Sequence, residues 1–194
     1  MMTSTRDQKS GSGRKAAKAQ SSASSDWVRL PRSELPRRYL TAGDLLICRS
    51  ACEVTTVLGS CVALTFFSAQ LQLGGICHAM LPEPRSPEAF EEGGGPERWK
   101  YVCYAVEELV QCFSPHGLVP AGVEVKLFGG ARLQDGEWVP GRWGNVGAAN
   151  VALARALLDE AGFSVCAFDV GGSHGRKVVF NTQTGEVHVK LLKG

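Results

Sequence analysis

Beyond residue 39 the chain is built from short apolar runs separated by Gly-Ser or polar breaks. Residues 44–49, 54–57, 61–67 and 71–80 are rich in Val, Leu, Ile and Phe, and they predict four neighbouring β-strands with an antiparallel start. Residues 82–96 are crowded with proline, glycine and glutamate, which neither helix nor strand can use, and predict a surface loop that could border a site. Trp99, Val102, Val106, Leu109, Val110 and Phe113 then recur at spacings of three and four, with Lys100, Glu107, Glu108 and Gln111 on the opposite face. That period predicts an amphipathic helix packed by one stripe. Residues 123–128 read as a further strand ending in Gly129-Gly130-Ala131, and a second helix opens at or just before Asn150 and stops at Gly162. Residues 165–170 form another strand, and 177–181 with 186–192 form a closing hairpin through Thr182-Gln183-Thr184-Gly185. The sum is an α+β chain of about eight strands and two helices, with antiparallel pairs at both ends.

Length and charge limit what this pattern can be. The 194 residues, 44% of them hydrophobic and 21% charged, suffice for one sizeable core. No run approaches the roughly 18 to 20 apolar residues of a membrane-spanning helix, and the polar N-terminus lacks the apolar stretch of a signal peptide. The net charge of +2 conceals an asymmetry: residues 1–38 carry nine Lys/Arg against three Asp/Glu, and residues 39–194 twelve against sixteen. Residues 1–25 hold seven serines and no aromatic side chain, so a disordered tail is expected there, with a basic connector up to residue 38 and the folded domain over 39–194. Without interleaved aromatics the tail reads as solvated rather than as a nucleic-acid grip.

Cys48, Cys52, Cys61, Cys77, Cys103, Cys112 and Cys166 make an odd set of single residues inside apolar stretches, as reduced cysteines in a cytoplasmic protein do. Cys61 differs from the rest because it follows Gly59-Ser60 at a strand-to-strand turn, where a thiol can be exposed and glycine permits close approach to a substrate. A thiol with an ordinary pKa of about 8.5 needs a base to act as a nucleophile near neutral pH. His78 is the candidate, being a titratable ring inside an apolar run after Gly74-Gly75. Pattern alone leaves open whether it is a catalytic base or a core histidine bonded to a carbonyl. His116, His174 and His188 read as surface residues. Cys48-x3-Cys52 and Cys77-His78 could supply metal ligands, but zinc sites show paired ligands at short spacing on both sides, and only one loose pair exists here. Gly129-Gly130 and the 171–177 segment match neither a P-loop nor a dinucleotide fingerprint and read as tight turns, with Arg176 and Lys177 able to face an acidic partner.

Five ordered blocks together carry a resemblance: Leu58-Gly59-Ser60-Cys61-Val62, His78-Ala79-Met80-Leu81-Pro82, Lys126-Leu127-Phe128-Gly129-Gly130-Ala131, Gly147-Ala148-Ala149-Asn150-Val151, and Asp169-Val170-Gly171-Gly172 followed by Gly175-Arg176-Lys177-Val178. From about Tyr39 to Leu192 the chain resembles the CheD family of chemoreceptor glutamine deamidases. The resemblance implies a layered, β-sandwich-like core with two main helices packed outside, similar to the catalytic domain of cytotoxic necrotizing factor toxins. It implies Cys61 as nucleophile, His78 as general base and a threonine six positions before the cysteine, Thr55, as the third catalytic residue, with Thr56 adjacent. It also implies chemoreceptor cytoplasmic helices as substrate, the CheC phosphatase as a partner in organisms that have one, and no cofactor. A backbone N–H near Gly59-Ser60-Cys61 is then a candidate oxyanion donor. Two other functions fit the same residues: a CheD-like binding module with little turnover, and a receptor methylesterase, because a thioester can be reached from an ester as from an amide. The long N-terminal tail, the 82–96 loop and a second thiol at Cys77 depart from the family pattern.

Overall fold

In a computed structural model the chain is described over residues 34–85, 95–114, 122–132 and 144–193. Nine strands occur among them: β1 (Arg37–Tyr39), β2 (Leu45–Cys48), β3 (Glu53–Leu58), β4 (Val62–Ser68), β5 (Leu73–Ala79), β6 (Glu124–Gly129), β7 (Val165–Val170), β8 (Arg176–Asn181) and β9 (Val187–Leu191). They divide into a four-stranded sheet of order β1-β3-β8-β9 and a five-stranded sheet of order β2-β5-β4-β6-β7. A 3-10 turn (Pro96–Lys100) leads into α1 (Val102–Phe113), and α2 (Val146–Glu160) follows β6.

The expected strand runs are present, but the first four do not form one antiparallel array. β3 leaves the larger sheet to pair with β8, and β1, which the sequence pattern missed, runs parallel to β3. The closing pair β8 and β9 is the antiparallel hairpin expected, and β6 and β7 are parallel. The expected tail over 1–25 and most of the 82–96 loop lie outside the described residues, as does His116. The two charged residues at the end of the connector, Arg37 and Arg38, belong to β1.

Strand parity explains the layers. On β4, Val62, Leu64 and Phe66 face the helices, whereas Ala63 faces the smaller sheet. Every residue of β4 is buried, as a central strand covered on both faces must be. The helix-side core joins Leu73, Cys77 and Ala79 of β5 to Val102, Val106, Leu109 and Phe113 of α1 and to Ala154 and Leu158 of α2. The Phe66 ring lies 5.4 Å from both Phe113 and Phe163, in tilted contacts worth about 0.5–1.5 kcal/mol each beyond the area they bury. Gly75 makes that packing possible: a Cβ there would stand 2.9 Å from both Leu109 and Phe113. The inter-sheet core is smaller, with Leu40, Cys52, Val54, Ile76 and Phe180 at one end and Leu58, Ala63, Phe128 and Val178 at the other. This is the layered α+β sandwich with helices outside that the resemblance implied.

The second helix begins earlier than expected. Asn145 caps it, its side chain accepting from the Ala148 N–H at 3.1 Å, so Asn150 lies inside the helix and is fully buried.

Candidate active site

His78 faces the gap between the sheets. On β5 it shares parity with Ile76, while Cys77 and Ala79 point to the helices. Both its backbone groups are held by the segment that leads into β2, its N–H donating to the Asp44 carbonyl at 2.9 Å and its carbonyl accepting from Gly43 at 2.8 Å. Across the gap on β3, Val54, Thr56 and Leu58 are buried whereas Glu53, Thr55 and Val57 alternate outward. Thr56 Oγ1 lies 2.8 Å from His78 Nδ1 and 2.8 Å from the Leu40 carbonyl. A carbonyl can only accept, so the Thr56 hydroxyl gives its hydrogen to Leu40 and its oxygen receives the Nδ1–H of the ring. That chain selects the tautomer in which Nε2 carries the free lone pair. Nε2 is buried and bonds to no described residue.

Thr55 sits on the outer face of β3 and joins the chain through its backbone carbonyl, which accepts the Leu40 N–H at 2.9 Å. Register with β8 is unbroken from Glu53 to Leu58, with no bulge to turn Thr55 inward. The hydroxyl on His78 is therefore that of Thr56.

Cys61 precedes β4 on the same side of the larger sheet as His78. Ala63 pairs directly with His78, and Cys61, two residues back, packs against the cluster of Leu58, Ala63, Phe128 and Val178. Cys61, one residue ahead of β4, thus lies on the face that His78 occupies, two positions from the ladder partner of His78. Burial pushes the Cys61 thiol up from its ordinary 9.0, with its own backbone N–H acting in the opposite sense. Burial pulls His78 below its ordinary 6.5, against the Leu40 carbonyl and the Asp44 charge, which favour the protonated ring. Both shifts oppose charge, so the resting pair is a neutral thiol and a neutral imidazole. Cys77, adjacent in sequence, lies on the other face, wholly buried among the helices and pushed up to about 12. It is a packing residue and no second nucleophile.

The turn that carries Cys61 is held by its carbonyls. Ala131 N–H donates to Gly59 and Gly130 N–H to Cys61, each at 2.8 Å, and Asn150 Nδ2 donates to Ser60 at 3.1 Å. Gly129 and Gly130 have φ of +107° and +68°, and a Cβ on Gly129 would fall 2.2 Å from the Cys61 carbonyl, so only glycine allows β6 to end against this turn. Arg176 does not face solvent as the sequence allowed. It is buried, and its guanidinium binds the carbonyls of Gly129, Asp169 and Gly171, the last two at 2.8 and 2.6 Å. Lys177 is exposed.

Cys48 and Cys52 place their sulfurs 3.9 Å apart, and no group of three or more His, Cys, Asp or Glu is gathered for a metal among the described residues. His174 is exposed beside Ser173, and His188 is half exposed beside Glu186.

A thiol and an imidazole of set tautomer on the same face of one sheet, with a backbone turn whose carbonyls are tied back, are the kinds of group that thiol-dependent acyl transfer uses. The chain belongs to the CheD family: the family model described as CheD chemotactic sensory transduction matches residues 80–191. It is 45% identical over 160 residues to the probable chemoreceptor glutamine deamidase CheD of Oleidesulfovibrio alaskensis, covering 81% of this chain and 74% of that one. A stretch of that length in a 194-residue chain necessarily takes in Thr55, Cys61 and His78. It is 38% identical over 159 residues to the probable chemoreceptor glutamine deamidase CheD 2 of Geobacter sulfurreducens, covering 82% of this chain and 92% of that one. Among solved structures, the hypothetical protein YfiH of Bacillus licheniformis aligns with a TM-score of 0.41 and 15% identity over 67% of this chain and 50% of that chain.

Proposed function

We propose that this protein deamidates glutamine side chains of chemoreceptors to glutamate, with Cys61 as nucleophile, His78 as general base and Thr56, in place of Thr55, as the hydroxyl that orients the imidazole. One observation carries the assignment of roles. The Leu40–Thr56–His78 chain consumes the Nδ1–H and leaves a buried Nε2 lone pair on the face that Cys61 shares.

The steps follow from that geometry. Nε2 takes the thiol proton as Sγ attacks the amide carbon, and the oxygen of the tetrahedral intermediate is met by the Cys61 N–H. The C–N bond then breaks, the imidazolium gives its proton to the departing nitrogen, and ammonia leaves a thioester on Cys61. Water, deprotonated by the same Nε2, attacks the thioester carbon and expels the thiolate, which recovers a proton; one water is consumed and one ammonia released. Because the neutral pair is the resting form, charge is made only during reaction, when the substrate covers the site.

The family relatives support chemoreceptors as the substrate class. On this reading the substrate segments are receptor cytoplasmic helices and the protein acts in the cytoplasm; no helix among the described residues is long and apolar enough to cross a membrane. CheC phosphatase is the further partner this reading allows, checked by pull-down from an organism encoding both. The deciding experiment incubates the full chain with a purified receptor cytoplasmic fragment, measuring ammonia and the receptor mass. Wild type should release ammonia and raise the mass by an amide-to-acid exchange, and Cys61→Ala should do neither. Methanol in place of ammonia would assign methylesterase activity, and tight binding without either product would assign a binding module.

A further inference from the structure

We propose that Asn150 is a positioning residue for the nucleophile turn: by holding the carbonyl of the Ser60–Cys61 peptide from behind, it aims the N–H of that same peptide at the reacting carbonyl. The inference rests on the thiol chemistry proposed above and adds a part to it.

Asn150 is wholly buried on the face of α2 that also presents Gly147, Ala154 and Leu158 to the core. A carboxamide in such a stripe must be hydrogen-bonded to be tolerated. Its Nδ2 makes two bonds, to Ser60 at 3.1 Å and to Met80 at 2.9 Å, while its Oδ1 is buried and bonds to no described residue. Both targets are carbonyl oxygens, so a flipped amide would set oxygen against oxygen, and the orientation is unambiguous. One carbonyl immediately precedes the nucleophile and the other lies two residues beyond the base. A single side chain thereby ties the two catalytic strands at their ends.

The direction of the Cys61 N–H follows from the planar trans peptide, in which C=O and N–H point opposite ways. Fixing the Ser60 oxygen fixes the Cys61 hydrogen. The Gly59 and Cys61 carbonyls are held as well, by Ala131 and Gly130, so the peptides on either side are fixed, and turning over the Ser60–Cys61 peptide itself breaks its bond to Asn150. The Cys61 N–H already favours its own thiolate, the behaviour expected of a donor turned toward the sulfur. Among the described residues, the titratable and charged groups near this turn include His78 on β5, Asp44 near His78, and Arg176 on β8, whose guanidinium is engaged with backbone carbonyls and stands 3.5 Å from the Asp169 carboxylate.

The test uses the full chain with Asn150→Leu, which is close in shape, uncharged and carries no donor hydrogen, and Asn150→Ala. Two quantities are read: kcat and KM for ammonia release from the receptor fragment, and the rate of Cys61 alkylation by iodoacetamide from about pH 6 to pH 10, resolved by peptide mass spectrometry. Removing one oxyanion donor costs about 100- to 1,000-fold in kcat. The expected result is a loss approaching that range with KM within about threefold, together with an alkylation midpoint moved to higher pH. Circular dichroism establishes that each variant is folded, and Asn150→Leu decides if Asn150→Ala is not. Unchanged kcat and an unchanged alkylation midpoint in a folded variant overturn the proposal, as does a loss of kcat with the midpoint unmoved. If wild type releases no ammonia while the midpoint still moves, the deamidase reading falls and the positioning role stands. If wild type and variants release ammonia equally, the positioning role falls and the deamidase reading stands.

Discussion

Replacing Thr56 by valine tests the centre of this structure with the smallest change of shape. The hydroxyl is fully buried and links two groups, receiving the His78 Nδ1–H and giving its hydrogen to the Leu40 carbonyl, both at 2.8 Å. Valine leaves both partners buried and unpaired, each at about 1–3 kcal/mol, partly offset by the added methyl, for a net loss of about 2–4 kcal/mol. At about 2–4 °C per kcal/mol for a domain of this size, the melting temperature should fall by roughly 4–16 °C. Freed of Thr56, the ring can turn and can carry its proton on Nε2, where it blocks the base. Loss of a bond worth about 1.4–2.7 kcal/mol to the productive form predicts a 10- to 100-fold fall in kcat with little change in KM. Thr56→Ser should restore most of both. Thr55→Val, on the outer face, should shift stability by no more than about 0.5 kcal/mol and kcat by less than about twofold. Ammonia release and thermal melts on the three variants decide it. A Thr55→Val enzyme that is inactive beside an active Thr56→Val enzyme refutes the tautomer argument and restores Thr55 as the orienting residue.

The remaining predictions concern titration, packing and support. His78 binds its proton less readily folded than unfolded, so between the folded value and 6.5 the unfolded chain holds more protons and stability rises with pH. That contribution is complete above 6.5 and is lost as pH falls through the folded value; kcat/KM should follow with an acid midpoint below 6.5, and a midpoint above it contradicts the burial argument. Cys77→Ala should keep activity within about threefold, and Cys77 should resist alkylation in the folded protein, because its thiol is buried and pushed up to about 12. Phe66→Ala removes the ring shared by Phe113 and Phe163 and should cost about 3–5 kcal/mol in urea melts. Arg176→Lys cannot reproduce the fork that holds three carbonyls, and it should lower both the melting temperature and kcat through Gly129, which abuts the Cys61 carbonyl.

What the sequence made legible was local. Apolar runs placed eight of the nine strands, and the Gly-Ser turn separated Cys61 from six other thiols. Strand β1 escaped because Arg37-Arg38-Tyr39 is short, exposed and charged, and it is a strand only by pairing with β3. The division of the early strands between two sheets depends on β8, more than a hundred residues on, which no local period reports. Thr55 followed from a family offset, yet parity pointed elsewhere: Val54 and Leu58 are apolar and Thr56 lies between them at the same phase, so an inward hydroxyl was readable at Thr56. Asn150 carried a signal of the same kind, a polar residue four positions before Ala154 and eight before Leu158 on an apolar stripe. Arg176 gave none, since a basic residue after a glycine loop looks the same whether it faces water or three carbonyls.

The parts of the proposed site come from opposite layers: Cys61 and His78 lie with the larger sheet, and Thr56 with the Leu40 carbonyl on the smaller. The reactive centre is therefore assembled by sheet-on-sheet docking rather than by either sheet alone. A collapsed chain that keeps its strands but lets the sheets slide by an ångström would hold a histidine with the wrong tautomer and so be inert. On the proposed mechanism, competence to modify glutamine therefore requires the two sheets to be docked and cannot reside in either alone.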